Sequence, residues 1–114
     1  MAFFITLKKR QEFKRISTHG KRWVTTGFIL QCLPQDQQLG LKQPRFGFTA
    51  SRKIGGAVQR NRARRRLKEV TRLNINHTQI NNDYVLIARE KALTLNFQKL
   101  VRDFIWALEH IHAH

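Results

Sequence analysis

The residues with the clearest chemical capability are cations concentrated between positions 52 and 72. This segment holds nine basic residues, seven of them Arg, against the single acid Glu69. A guanidinium group pairs with two phosphate oxygens at once and also stacks on bases, whereas an ammonium group acts as a point charge. The composition therefore predicts a surface that binds the phosphates of a nucleic acid.

Most of these cations lie on one predicted helix, over residues 57–73, which follows two glycines. At about 100° per residue, Ala63, Leu67 and Val70 form a narrow stripe that faces the core. Like charges one turn apart destabilise a helix, so a polyanionic partner explains the remaining face better than the fold alone does. That face carries Arg60, Asn61, Arg62, Arg64, Arg65, Arg66, Lys68 and Arg72.

The formal net charge of +15 is unevenly distributed along the 114 residues. Residues 1–22 hold seven bases and one acid, and residues 52–72 hold nine bases and one acid, which gives net charges of +6 and +8. Residues 73–114 hold four bases and four acids. Solubility alone gives no reason for such segregation, so two basic patches in front of a neutral scaffold are predicted.

Groups that could carry out catalysis or hold a metal ion are sparse, and the sequence predicts neither a catalytic residue nor a metal site. The seven acids are scattered, so no pair is spaced for acid–base or metal chemistry. Cys32 is the one cysteine, which excludes an internal disulfide, and its alternation with apolar residues predicts burial. His19 is predicted to pack at a helix end, and a mobile terminus is predicted for His110, His112 and His114.

The expected setting is the cytoplasm, with no membrane partner. No stretch approaches the roughly 20 apolar residues of a membrane span. The first residues are apolar and then basic, which is the reverse of a signal peptide.

Hydrophobic periodicity predicts an α+β fold, a small mixed sheet with helices packed on one face, in a single domain over residues 1–114. The predicted strands cover residues 23–33, 45–51 and 83–88, and the predicted helices cover residues 10–19, 57–73 and 96–111. The last helix is amphipathic and is expected to supply core.

One stretch of the chain resembles the signature of the bacterial ribonuclease P protein component. Its parts are the strand Arg45–Ser51 (RFGFTAS), which ends in Ser51-Arg52-Lys53, a glycine turn, Ala57-Val58, and Arg60-Asn61-Arg62 followed by Arg64-Arg65. The resemblance extends to Phe13, to His19-Gly20 and to the run from Tyr84 to Arg89, so it spans nearly the whole chain.

The resemblance implies a domain like that of a ribosomal protein, with a left-handed βαβ crossover around the basic helix. It also implies a function: the protein joins a catalytic RNA, and the complex removes the 5′ leader of precursor tRNA. The RNA and its Mg²⁺ ions would perform the hydrolysis. Mg²⁺ is therefore expected with the partner RNA, and no cofactor is expected to be bound by protein side chains alone.

The resemblance further implies two sets of binding residues. Contacts to the catalytic RNA would come from Arg52, Lys53, Arg60, Asn61, Arg62, Arg64, Arg65 and Lys68. The single-stranded leader would bind between the first helix and the sheet, at Phe13, Ser51, Lys53 and Arg89. The chain departs from common family residues at Ser17, where many members have an aromatic, at Gln31, where some have a Tyr, and at Glu90, where a basic residue is usual. Two other functions are alternatives to the one that the resemblance implies: a ribosomal-type structural RNA-binding protein and a DNA-binding helical module.

Overall fold

The computed structural model describes residues 4–113 and contains a five-stranded sheet with three α-helices. Alternating apolar residues form its strands, because successive side chains of a strand point to opposite faces. The strands are β1 (Ile5–Thr6), β2 (Lys21–Val24), β3 (Phe28–Pro34), β4 (Arg45–Ala50) and β5 (Asn82–Ala88).

The sheet is mixed, with the strand order β1-β4-β5-β3-β2. β5 is its central strand and pairs parallel with β4 and antiparallel with β3. Every residue of β5 except Ile87 is buried. β1 pairs parallel with β4, and β2 forms an antiparallel hairpin with β3, so these two short strands are the edges.

The helices are α1 (Arg10–His19), α2 (Ala57–Leu73) and α3 (Phe97–Ala113), which confirms three predicted helices with boundaries shifted by at most two residues. α2 and α3 pack on one face of the sheet and bury the larger hydrophobic core, which includes Phe46, Tyr84 and Phe104. No helix of residues 4–113 is long and apolar enough to cross a membrane.

The first helix corrects the prediction that all helices share one face. α1 contacts β3 and β5 through a separate small cluster of Leu7, Ile16 and Val85. Val85 points away from the core that its neighbours Tyr84 and Leu86 enter, so α1 lies on the opposite face of the sheet. The sheet is therefore covered on both sides, and α1 leaves part of its own face open.

The strand predicted over residues 23–33 is also corrected, because the structure divides this stretch into a hairpin. The turn begins at Thr25, whose hydroxyl donates to the Phe28 carbonyl (2.7 Å) and accepts from the Phe28 N–H (3.1 Å). Phe28, Leu30 and Cys32 are buried together on one face of β3, as their alternation predicted. The strand β1 was not predicted.

The basic helix connects two parallel neighbours, because α2 joins β4 to β5. The unit has the βαβ connectivity that the family resemblance implied. The left-handed crossover stays a prediction.

Candidate nucleic-acid interface

The basic helix α2 begins where the chain leaves the sheet through a tight turn. Ser51 precedes a single 3₁₀ turn over Arg52–Ile54, and Gly55 follows it at φ 144°. This positive φ is a conformation that side-chain-bearing residues rarely adopt, so the glycine is required by the turn. Gly56 then caps the helix. The turn fixes where the first cations of the helix lie relative to the end of β4.

The predicted core stripe orients the rest of α2. Ala63, Leu67 and Val70 are all 0% exposed, which turns the opposite side of the helix towards solvent. Most of the predicted RNA-binding side chains are exposed there, while Arg60 and Arg64 are partly buried. The Arg64 guanidinium donates to the Asn61 side-chain oxygen, which holds both groups on one ridge.

A groove of about 530 Å³ runs between this ridge and the edge strand β1. Its floor is partly apolar and one wall is cationic, which is an arrangement that accepts a phosphate backbone together with a sugar or base. The lining residues are Thr6, Leu7, Phe48, Val58, Asn61, Arg64, Arg65 and Lys68. The predicted RNA contacts therefore divide into a groove set and a flanking set, and the flanking residues that do not line the groove are Arg52, Lys53, Arg60 and Arg62.

Arg66 departs from the prediction that it belongs to the outer cationic face. Its guanidinium donates to the carbonyls of Ala92 (2.6 Å) and Leu95 (2.7 Å), in the segment that leads into α3. Burial, and secondarily the charge of Arg62, lowers the pKa of Arg66. Arg66 therefore ties α2 to the following segment, and its charge is not available to RNA in the way that its neighbours' charges are.

On the opposite face of the sheet, Phe13 of α1 packs directly over Gly47 of β4. A Cβ at Gly47 would lie 2.5 Å from Cζ of Phe13, so a side chain at this position would displace the ring. Phe13 remains partly exposed and lines a shallow surface with Arg10, Lys14 and Ser17. The position of the ring is thus set by the absence of a side chain on the strand beneath it.

The other three predicted leader-binding residues meet at the carboxyl ends of β4 and β5. Ser51, Lys53 and Arg89 line one groove of about 480 Å³, together with Ile29 and Ile87 of the sheet. Phe13 does not line this groove. Thr49 and Ile87, which are register partners, lie between Gly47 and Ser51 on the same face. Gly47, which lies beneath the Phe13 ring, and Ser51 are four residues apart, which corresponds to about 13 Å at ~3.3 Å per residue.

Arg89 also shapes the end of the sheet. Its guanidinium donates to the Thr25 carbonyl (2.7 Å) and its backbone N–H donates to the Gly27 carbonyl (2.9 Å). The side chain thereby holds the β2–β3 turn. Of the positions that depart from the family, Ser17 is exposed beside Phe13, Glu90 lines the groove of Arg89, and Gln31 is buried.

An ionic cluster fastens α1 to the sheet. Asp83 of β5 is 0% exposed and accepts from Arg45 at 2.8 and 2.7 Å and from Arg15 at 2.6 Å. Arg45 also pairs with Glu12. The hydrogen bond from Arg45 to Asp83 raises the pKa of Arg45 further above its usual value. Arg15 and Arg45 are therefore structural cations, although the charge pattern alone did not distinguish them from the cations predicted to bind RNA.

The histidines at the end of the chain correct another prediction, because His110 and His112 lie within α3 rather than in a mobile terminus. His112 Nε2 is 2.6 Å from the Tyr84 hydroxyl, which itself accepts from the Gln79 N–H. Burial, and secondarily the charge of Lys21, lowers the pKa of His112. His110 stacks on Trp23 at a centroid distance of 4.6 Å. His114 lies outside the described residues.

The remaining candidates for chemistry lie apart from the two grooves. Cys32 is buried as predicted, and burial raises the pKa of its thiol to about 12. His19 is exposed at the last position of α1. Within residues 4–113, no three His, Cys, Asp or Glu side chains are grouped so that they could hold a metal ion.

The sequence of the chain matches one family model over nearly its full length. The model is that of ribonuclease P, and it matches residues 1–112. The chain belongs to the ribonuclease P protein family. Membership assigns it to tRNA processing, as the protein subunit of an endoribonuclease, and implies an RNA partner in a ribonucleoprotein.

Relatives and solved structures of this family agree with the match. The ribonuclease P protein component of Paramagnetospirillum magneticum is 39% identical over 94% of this chain and 82% of its own length. That of Gluconacetobacter diazotrophicus is 40% identical over 85% of this chain and 82% of its own. The RNase P protein structure from Thermotoga maritima has a TM-score of 0.79 at 25% identity, covering 93% of this chain and 96% of that chain.

The family resemblance did not indicate some residues of the grooves of this ribonuclease P protein. Thr6 and Leu7 line the α2 groove only because β1 pairs with β4, and a two-residue strand leaves no periodicity to detect. Phe48 shares a face with Phe46, and this alternation suggested core for both. Phe46 is fully buried, whereas Phe48 is partly exposed at the groove.

Proposed function

We propose that this ribonuclease P protein binds two RNA elements on two different surfaces. The α2 groove and its flanking arginines bind the catalytic RNA. The open face of the sheet beside α1 binds the single-stranded 5′ leader of precursor tRNA. The observation that carries the proposal is the placement of the cations of α2 and of Phe13, Ser51, Lys53 and Arg89 on opposite sides of one sheet.

The α2 surface suits a folded RNA. Its arginines present forked donors along one ridge, and such donors match phosphate oxygens without reading base identity. Each phosphate that is neutralised releases counterions, so binding at this surface should weaken steeply with salt. Asn61, held by Arg64, adds a polar group that can contact sugar or base edges.

The open face of the sheet that runs from Phe13 to Ser51, Lys53 and Arg89, which we call the leader strip, suits a single strand. Phe13 offers a partly exposed ring on which a base can stack. About 13 Å further along the strands, Lys53 and Arg89 offer charges for phosphates and Ser51 offers a hydroxyl. No residue of the strip is equipped for hydrolysis. The cleavage chemistry, and the Mg²⁺ ions that it needs, are assigned to the partner RNA, and the protein positions the substrate.

The test is reconstitution with the catalytic RNA and precursor tRNA at low Mg²⁺. Adding the protein should increase the cleavage rate, and a rate that does not change would contradict the proposal. Arg65→Ala should weaken assembly with the catalytic RNA and reduce the salt dependence by about one phosphate contact. Arg72→Ala is the matched control, because Arg72 lies on the same helix but outside the groove and pairs with Glu69.

The leader surface is tested separately by comparing precursor tRNA with mature tRNA. Phe13→Ala should weaken binding of the precursor more than binding of the mature form, because only the precursor has a base to stack on the ring. Equal losses for both forms would refute the leader role of Phe13.

A further inference from the structure

A third surface, between the hairpin turn and α3, has features of a nucleotide site. A groove of about 350 Å³ lies beside the edge strand β2, and its volume falls at the lower end of small-ligand pockets, which begin at about 300 Å³. Val24 and Trp106 line it and are 53% and 54% exposed. Such large apolar side chains in a groove are better suited to a ligand than to solvent alone.

The aromatic wall of this groove is held rigidly. Lys99, Asp103, Trp106 and His110 recur at spacings of three and four residues and so lie along one side of α3. His110 contacts both indoles, stacked on Trp23 and at 88° to Trp106 with a centroid distance of 4.8 Å, and the two indoles also contact each other edge to face. A ring that is already positioned loses little conformational entropy when a base stacks on it.

Polar groups converge on the same groove. Asp103 is 5% exposed, and Lys99 binds one of its carboxylate oxygens at 2.8 Å. The other oxygen, Oδ2, is buried and has no hydrogen-bond partner among the described residues. A buried carboxylate oxygen without a partner is costly. The N–H or exocyclic amino group of a nucleobase is a donor of the kind that carboxylates accept.

Arg89 links this groove to the leader strip, because its side chain lines both. The Thr25 carbonyl accepts one hydrogen bond from the Arg89 guanidinium, whose other N–H groups have no partner among residues 4–113. Because Asp103 matches the charge of Lys99, it is Arg89 that leaves the groove with a net positive charge, which favours an anionic occupant. The edge strand β2 beside the groove carries Lys21 and Arg22, and such charges disfavour pairing with a second copy of the chain.

We propose that this groove binds one further nucleotide of the leader, with the base stacked on Trp106, its donor on Asp103 Oδ2 and its phosphate at Arg89. The inference rests on the proposed leader function and extends it around the end of the sheet. A strip of about 13 Å holds about four nucleotides at a stacked rise of ~3.4 Å. Only a leader longer than that reaches Trp106.

The experiment measures binding of precursor tRNAs with leaders of about two and about eight nucleotides to the complex of protein and catalytic RNA. Trp106→Leu should weaken binding of the long leader by about five-fold or more, which corresponds to the loss of one base stack, and should leave the short leader unchanged. Trp106→Phe keeps a ring and should retain most of the affinity. Ile80→Ala is the matched control, since Ile80 is 62% exposed and lies outside all three grooves.

The outcomes separate this inference from the leader proposal. If Phe13→Ala distinguishes precursor from mature tRNA but Trp106→Leu does not distinguish long from short leaders, the inference is wrong and the leader strip stands. If neither variant depends on the leader, both are wrong. Sedimentation of the protein alone provides one more check, because a dimer that Trp106→Leu dissociates would make this face a self-association surface and overturn the inference.

Discussion

The ionic cluster beneath α1 leads to a specific stability prediction for Asp83→Asn. Asparagine keeps the size of the side chain but removes the charge that three hydrogen bonds from Arg15 and Arg45 now satisfy. Asp83 is 0% exposed and the Arg45 side chain is 11% exposed, so the change leaves a largely buried guanidinium with a neutral group in place of its buried carboxylate, and only the partly exposed Glu12 still pairs with it among the described residues. This is the situation in which breaking an ion pair costs more than the pair contributes when intact.

The expected loss is ~3–5 kcal/mol of the free energy of unfolding. Domains of this size are stable by about 5–15 kcal/mol, so the variant should fold but be markedly weakened. Urea unfolding measures the effect, and with m of ~1–3 kcal/mol per molar the midpoint should fall by at least about 1 M. Arg15→Gln should cost less, because the Arg15 side chain is 36% exposed and Asp83 would keep both bonds from Arg45.

The control is Glu69→Gln, which removes an exposed ion pair with Arg72 and should leave the midpoint unchanged. If Asp83→Asn shifts the free energy of unfolding by less than about 1 kcal/mol, the range of an exposed pair, the cluster does not fasten α1 and the argument fails. If Arg15→Gln lowers the free energy of unfolding as much as Asp83→Asn does, the burial of Arg15 and Arg45 does not determine how much each contributes to stability.

Three further changes follow from individual contacts. Gly47→Ala should displace the Phe13 ring and reduce the preference for precursor over mature tRNA while leaving assembly with the catalytic RNA intact, and parallel binding curves for the two tRNAs and the catalytic RNA would show this. Arg66→Ala should lower the thermal midpoint, because two partly buried carbonyls lose their donor, whereas Arg62→Ala should leave the midpoint near that of the wild type and affect RNA assembly instead. The pKa of His112 is lowered in the fold, so its neutral form is favoured there. Stability should fall as the pH drops from 7 towards 5, and His112→Gln should flatten that dependence in denaturant titrations.

Much of the fold could be predicted because its longer elements have strong periodicity. The core stripe of α2 and the apolar run of β5 set the positions of these two elements almost to the residue, and the alternation of Phe28, Leu30 and Cys32 gave the buried face of β3. The hairpin was missed because apolar and β-branched residues continue through its turn, and the Thr25 hydroxyl closes it without a strong turn dipeptide. The face of α1 was missed because the pattern of Phe13 and Ile16 shows that a helix is amphipathic, not which side of a sheet it covers.

The candidate site, like the fold, could be predicted only in part. The family motif identified the cations of α2, but types and spacing could not show which arginines find protein partners. Arg66 looks the same as Arg62 in a helical projection, yet carbonyls of a segment nearly 30 residues away satisfy it. Asp83 and Arg45 meet only because β4 and β5 pair in register. Such pairings depend on tertiary contacts, which local patterns do not encode.

The central position of β5 determines when the protein can fold during synthesis. β5 is the last strand in sequence, yet it lies between β4 and β3, which touch each other only through it. α1 likewise needs Val85 and Asp83 for its docking, and Arg15 and Asp83 are 68 residues apart. A nascent chain that stops before residue 82 can form the β2–β3 hairpin and α2 but not the sheet. Both proposed RNA-binding surfaces should therefore appear late and together, in one cooperative step governed by long-range contacts.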